Sequence, residues 1–158
     1  MKKIKNPWTG LTGKGYNCFA CAPHNPRGLK MEFYEDGDDI VSFWQPHTDY
    51  QGWLDTLHGG IQATLLDEAA GWTVGRKLQT SGMTTNINIK YRKPIPTDEG
   101  TTIEIRARIK ETKRSFAIIE ATISLDGEKC TTAELTFYCF SKEVAVKDFH
   151  FTEFELED

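Results

Sequence analysis

The sequence predicts an α+β protein in which one antiparallel β-sheet of about six strands wraps around one long central α-helix. Two observations carry that prediction. The window His58–Leu78 is apolar over too wide an arc for a surface helix, and six other segments read as strands, several by alternation of apolar with polar residues and one as a β-branched apolar run. Most of those six are joined by short turns, so they pair with their neighbours, and a single helix must supply the other layer of the core.

The elements follow in order. Residues 1–28, rich in Gly, Pro and Asn, read as an irregular lead-in. Leu29, Met31 and Phe33 alternate with polar residues and suggest a first strand. An acidic turn around Gly37 joins it to a second strand, Ile40–Gln45. A loop containing Pro46, Gly52 and Trp53 leads to the helix. After the helix, Met83–Arg92 alternates through Thr85, Ile87, Ile89 and Tyr91. Thr101–Lys110 alternates through Ile103, Ile105, Ala107 and Ile109. Ser115–Leu125 is closed by Asp126-Gly127, a strong hairpin signal, and Cys130–Phe140 completes the set. The acidic tail, 141–158, reads as loosely packed or frayed. The whole length, 1–158, is expected to be a single domain.

The helix can be tested by angle. At roughly 100° per residue with Ile61 at zero, Trp72, Leu65, Ala69, Leu66, Ala70, Ala63 and Val74 fill roughly 220°, about twice the stripe of a surface helix. Thr64, Glu68, Gly71 and Gly75 form the narrow remaining face, where Glu68 is expected to reach solvent or a salt bridge. Asp67 falls at the border of the apolar arc, beside Ala63 and Ala70, where a carboxylate would be partly dehydrated with open space next to it.

Composition excludes several functions. With 39% hydrophobic and 27% charged residues, the chain can bury a core and is not expected to be disordered. Its net charge of −4 argues against a nucleic-acid binder. The average hides a split, because residues 76–114 hold ten Lys/Arg against four acids and the remainder nine against nineteen. No apolar run is long enough to span a membrane, and the basic N-terminus lacks the apolar stretch of a signal peptide. A cytoplasmic location with Cys18, Cys21, Cys130 and Cys139 reduced is therefore expected.

Four groups of residues could carry chemistry. His58-Gly59-Gly60 opens the helix, where unpaired N–H groups and the positive end of the macrodipole can polarise a carbonyl oxygen; a tight loop-to-helix turn would use the same residues. Asp67, nine residues after His58, is placed to act as a general base or nucleophile, or simply to reach solvent. Lys90, Arg92 and Lys93 end one strand, and Lys110, Lys113 and Arg114 lie at a later turn, where they could meet phosphates or be ordinary solvated ends. Cys18-x-x-Cys21-x-x-His24 could hold zinc only with a fourth ligand from elsewhere, and a redox motif would open a helix where Pro23 and Pro26 stand here. A structural loop is the preferred reading, so no metal is expected.

Taken together, these segments resemble a known family. TLHGGIQATLLDEAAGW (Thr56–Trp72) resembles the hotdog-fold acyl-CoA thioesterases of the PaaI-type and THEM4-like group, whose pattern is His-Gly-Gly with an acid nine residues on. GMTTNINIKYRKPIP (Gly82–Pro96) is similar to the strand that follows their helix, and NCFACAPHNPRGLKMEFY (Asn17–Tyr34) to the lead-in of the THEM4-like branch. The resemblance covers roughly residues 17–140.

It implies the hotdog fold and hydrolysis of an acyl-CoA to free acid and CoA, with no cofactor, because CoA is part of the substrate. Gly60 N–H, or that of Gly59, would bind the thioester oxygen, and Asp67 would activate water or attack. Thr84 or Thr85 would be the polar neighbour of the acid, and the phosphates would meet Lys90, Arg92 and Lys93. Trp53 would line an acyl pocket. It also implies a site between two subunits of a homodimer, which can pair again into a homotetramer. Two positions depart from the pattern. Gly52, preceded by Gln51, stands where many relatives have Asn, so Gln51 would take over that polar role, and Gly71 stands where some have a hydroxyl residue. A hydratase or dehydratase would use a His base with a helix acid, and a non-catalytic acyl-CoA-binding protein would lack the acid. The absence of a His inside the helix and the presence of Asp67 favour hydrolysis.

Overall fold

A computed structural model describes residues 1–158. Nine strands and two α-helices run in chain order. They are β1 (Lys2–Lys3), β2 (Tyr34–Asp36), β3 (Asp39–Trp44), β4 (Gln51–Trp53), β5 (Thr56–Leu57), α1 (Gly59–Leu78), β6 (Gly82–Tyr91), β7 (Ile103–Lys113), β8 (Phe116–Leu125), β9 (Glu128–Cys139) and α2 (Lys142–Phe149). Seven strands form one antiparallel sheet in the order β1-β2-β3-β7-β8-β9-β6, and β4 pairs only with β5.

The chain runs from β3 through the short β4–β5 pair into α1 and leaves it into β6 at the far edge of the sheet. The helix therefore crosses the strands between, and its side chains meet all of β3, β6, β7, β8 and β9. Leu65, Leu66, Ala69, Ala70, Trp72 and Val74 are buried on its side, and Ile105, Ile119, Ile123 and Leu135 on the sheet's. The alternation expected for β7 holds, with Ile103, Ile105 and Ala107 buried, and the β-branched, apolar run read as the next strand is β8, whose Ala117, Ile119, Ala121 and Ile123 are all buried. Asp126 and Gly127 both have positive φ (50° and 79°), the requirement of a tight hairpin whose twist matches its strands.

The ends of the chain depart from expectation. Leu29, Met31 and Phe33 are buried in alternation as predicted, but they form no strand. The lead-in loop holds them instead: Leu29 N–H donates to Phe19 O at 2.8 Å and Met31 N–H to Ala20 O at 2.9 Å. The tail is not frayed. Ser141 caps α2, Ile4 bridges Leu156, and Phe154 is buried against Trp8 and Trp72. Gly75 makes this docking possible, because a Cβ there would lie 2.4 Å from the Phe154 ring. Periodicity misses such a segment because its aromatic residues are anchored one at a time, in pockets made by distant elements.

The charge split seen along the chain closes in space. Arg76 and Lys77 at the C-terminus of α1 pair with Glu35 of β2, and Arg106 and Arg108 pair with Asp39. Lys93 pairs with Glu128 and Lys110 with Glu134. Lys90, Arg92, Lys113 and Arg114 are left without such partners.

The Glu35 pairs are largely shielded, with the acid's side chain 19% exposed. Hydrogen bonding from Arg76, followed by Lys77, holds Glu35 below its ordinary value near 4.5, against the opposing effect of burial. Because the native value is the lower one, the stabilisation is full above the unfolded value near 4.5 and is lost as pH falls from there through the native value. Glu35→Gln should cost ~1–2 kcal/mol at neutral pH, between the values of exposed and buried pairs. Urea unfolding across acid pH checks this: the wild-type advantage should shrink on acidification, and a pH-independent difference would refute it.

Candidate functional site

The strand after the helix is the free edge of the main sheet, and nearly every residue of β6 is exposed. Its exposed residues include Met83, Ile87 and Tyr91. Where β6 passes α1, a shallow groove of about 440 Å³ is lined by Ala63, Thr64, Asp67, Thr84, Thr85, Asn86 and Ile87. Asp67 stands at the border between the buried arc and solvent. Thr84 Oγ1 donates to its Oδ1 at 2.6 Å, and Oδ2 has no partner in the chain.

A β-bulge decides which threonine meets the acid. Thr84 pairs with Phe137 and Asn86 with Thr136, so Thr85 is the extra residue. Simple alternation with Ile87 and Ile89 turns Thr85 toward the helix. The bulge shifts the phase by one, sends Thr84 to Asp67 instead, and leaves Thr85 Oγ1 donating to Thr136 O at 3.0 Å.

The helix entrance is built around His58. Its Nδ1 accepts from Gly60 N–H at 2.8 Å, which caps α1 and leaves the neutral ring's proton on Nε2. This corrects the expectation for Gly60: its N–H is already engaged by the cap. Gly59 N–H has no such partner and is the free donor of the pair. Gly52 packs against His58, with room for a Cβ only 3.2 Å from its Cα. A side chain there would be in tight contact with His58, which would have to shift by a few tenths of an ångström to admit it. Gln51 sits exposed in β4 opposite Leu57, and its side chain forms no hydrogen bond.

Other expected site residues lie apart from Asp67. Trp53 is 76% exposed, outside the groove of this chain, whereas Trp44 and Trp72 are core residues. Lys90 and Arg92 point to the opposite face of the sheet. There they line a larger groove of about 660 Å³ with Asn88, Arg106, Arg108 and Glu134. That groove is rich in matched charges, and Asp67 does not reach it.

Two contributors escape the sequence reading. Tyr91 Oη donates to Gly59 O at 2.7 Å and ties the helix entrance to the edge strand; partial burial raises its phenol above the ordinary range. Its alternation with Ile87 and Ile89 placed it on the helix face, but nothing marked that carbonyl as its partner. Glu68, expected at the surface, instead carries a carboxylate beside Cys18 and Trp72. His24 stays outside this cluster, with its ring nitrogen 2.7 Å from Tyr16 O.

A long helix wrapped by an antiparallel sheet, with an acid at the sheet's free edge, defines the hotdog class of proteins. The sequence model of the thioesterase superfamily matches residues 54–132, half of the chain, and the chain belongs to that family. Bovine (Bos taurus) acyl-coenzyme A thioesterase THEM4 is 28% identical over 122 residues, covering 66% of this chain and 50% of that protein. The chain thus spans about half the length of the curated relative it matches. Among solved structures, a thioesterase superfamily protein superposes with a TM-score of 0.71 at 22% identity, over 77% of this chain and 62% of the other. A hypothetical thioesterase protein from Streptococcus pneumoniae, solved with coenzyme A, gives 0.65 at 20% identity over 71% and 90%. A Streptococcus mutans protein bound to acetyl-CoA gives 0.63 at 17% identity over 71% and 90%.

The cap is directly testable. His58→Ala should lower stability by about 0.5–2 kcal/mol, the usual effect of losing an N-cap acceptor, with little change in helix content. Thermal unfolding followed by circular dichroism reads this, and an unchanged midpoint would show that the His58–Gly60 bond contributes nothing.

Proposed function

We propose that the protein hydrolyses acyl-CoA thioesters to free acid and CoA, with Asp67 as general base or nucleophile. The observation that carries this reading is the Asp67–Thr84 contact in an open groove, which orients one carboxylate oxygen and leaves the other free. The relative named as an acyl-CoA thioesterase, and the two structures holding CoA or acetyl-CoA, support the substrate class. No histidine lines the groove, and His58 is committed to the cap, which favours hydrolysis over hydration or dehydration.

Helix geometry adds a constraint on assembly. Gly59 and Asp67 are eight residues apart, about 12 Å along the axis at 1.5 Å per residue. One thioester carbonyl must lie roughly 3 Å from both its oxyanion donor and its attacking group, so a single helix cannot supply both. We therefore assign Asp67 of one chain to work with Gly59 N–H of a second copy. The free β6 edge, with Met83 55% and Tyr91 52% exposed, is where that copy would pair. Such pairing gives a homodimer with two equivalent sites, and Lys90 and Arg92 stay available for phosphate.

Two experiments test this reading. Asp67→Asn keeps the shape and should reduce CoA release from a panel of short, long and aromatic acyl-CoAs by at least 10²-fold, with folding retained. Equal turnover by the variant would remove Asp67 from its role, and no turnover by the wild type on any thioester would favour a binding protein.

Gly59→Pro removes one N–H at the first helical position, where proline is well accommodated, and should lower kcat by 10²–10³-fold as an estimate for one lost oxyanion donor. Mixing the two inactive variants and letting subunits exchange should restore roughly a quarter of wild-type activity, because half the dimers are mixed and each holds one intact site. No recovery in mixtures shown to exchange would place both groups in one chain.

A further inference from the structure

We propose that Cys18, Cys21 and Glu68 form a binding site for one zinc-class divalent cation, with a water in the fourth position, on the side of α1 turned toward the lead-in loop. The two sulfurs and a carboxylate oxygen all lie within 4.8 Å of one another. Cys18 Sγ is 3.6 Å from Glu68 Oε1. Tetrahedral zinc with bonds of about 2.3 Å to sulfur and 2.0 Å to oxygen holds such atoms about 3.5 Å apart. The ligands come from two distant elements, the C-x-x-C turn and the middle of the helix, so the site exists only in the folded chain.

Each ligand atom already has a donor that suits an anionic ligand. Cys21 N–H donates to Cys18 Sγ at 3.4 Å, as in a metal-binding C-x-x-C turn. Tyr16 Oη accepts from Asn6 Nδ2 at 3.0 Å and shares a hydrogen bond with Cys21 Sγ at 3.2 Å, in which the hydroxyl can donate to a thiolate. Trp72 Nε1 donates to Glu68 Oε1 at 3.1 Å. Such outer contacts orient metal ligands and set their basicity.

No basic side chain neutralises the cluster. Glu68 pairs with no Lys, Arg or His, and its only hydrogen-bond partners are Trp72 and Cys18. A carboxylate packed against two thiols without a positive neighbour is costly unless it is protonated or shares a cation. Two sulfurs and one oxygen select zinc over the hard cations magnesium and calcium. Cys130 and Cys139 lie on β9, outside the cluster.

The test is metal content, independent of any turnover. The full chain, made without a histidine tag in zinc-supplemented medium under reducing conditions, is exchanged into metal-free buffer and analysed by elemental mass spectrometry. About one zinc per chain is expected, together with a sulfur-to-metal charge-transfer band after cobalt replacement. Glu68→Gln should weaken zinc binding at least tenfold, Cys18→Ser with Cys21→Ser should abolish it, and Cys139→Ser should leave it unchanged. The cobalt spectrum of the wild type stands if the serine variants do not fold. A reduced protein that binds no zinc at micromolar free metal would overturn the proposal. So would bound cobalt without the band, unchanged zinc in a folded double variant, or a native mass short of two hydrogens from a Cys18–Cys21 disulfide.

Discussion

Burial of the broad apolar arc of α1 is the constraint on which the rest of the structure depends. A helix apolar over roughly twice the width of a surface stripe cannot lie on a sheet; the sheet must curve around it. Leu65, Leu66, Ala69, Ala70 and Val74 occupy that concavity, and the ladder β3-β7-β8-β9-β6 closes over them. The small residues decide how close the layers come. The same wrapping leaves the last strand, β6, with one side unpaired, so the helix border that faces it is the place where a polar group can be both packed and reachable.

That placement explains how much of the molecule was legible from its residues. Strands β7 and β8 and the helix follow from two periodicities, because their side chains meet one continuous core. The phase of β6 did not follow. Thr84 and Thr85 were both open as the acid's neighbour, and the bulge selects Thr84 through a ladder pairing that a single strand's pattern does not contain. Asp67 was readable as a border residue, since its angle on the helix depends on local geometry alone. The loop-to-helix turn stood as an alternative reading of His58-Gly59-Gly60; which of the two glycine N–H groups the ring engages depends on a side-chain orientation that residue order does not contain.

Electrostatics shows the same division. Along the chain the basic segment 76–114 looks like an attractive field for an anion. In the fold most of it faces acids brought from elsewhere: Glu35 and Asp39 from the first hairpin, Glu128 and Glu134 from β9. Charge patterns along a chain record composition, whereas the field around a protein records pairing. Only the cations left over, among them Lys90 and Arg92 on the outer face of β6, retain charge for a ligand.

Asp67 and Glu68 carry this reasoning to its sharpest point. They are the same chemical group on consecutive residues, and roughly 100° of helical rotation separates their environments. Asp67 turns toward the open edge strand, where one hydroxyl holds one oxygen and a substrate can approach the other. Glu68 turns under the lead-in loop, where an indole and a thiol take its hydrogen bonds. Neither fate follows from residue type. A helix enclosed on several sides makes each position on its circumference a different solvent. Two acids can therefore sit side by side in sequence, one at the open groove beside β6 and the other at the loop that closes the opposite flank.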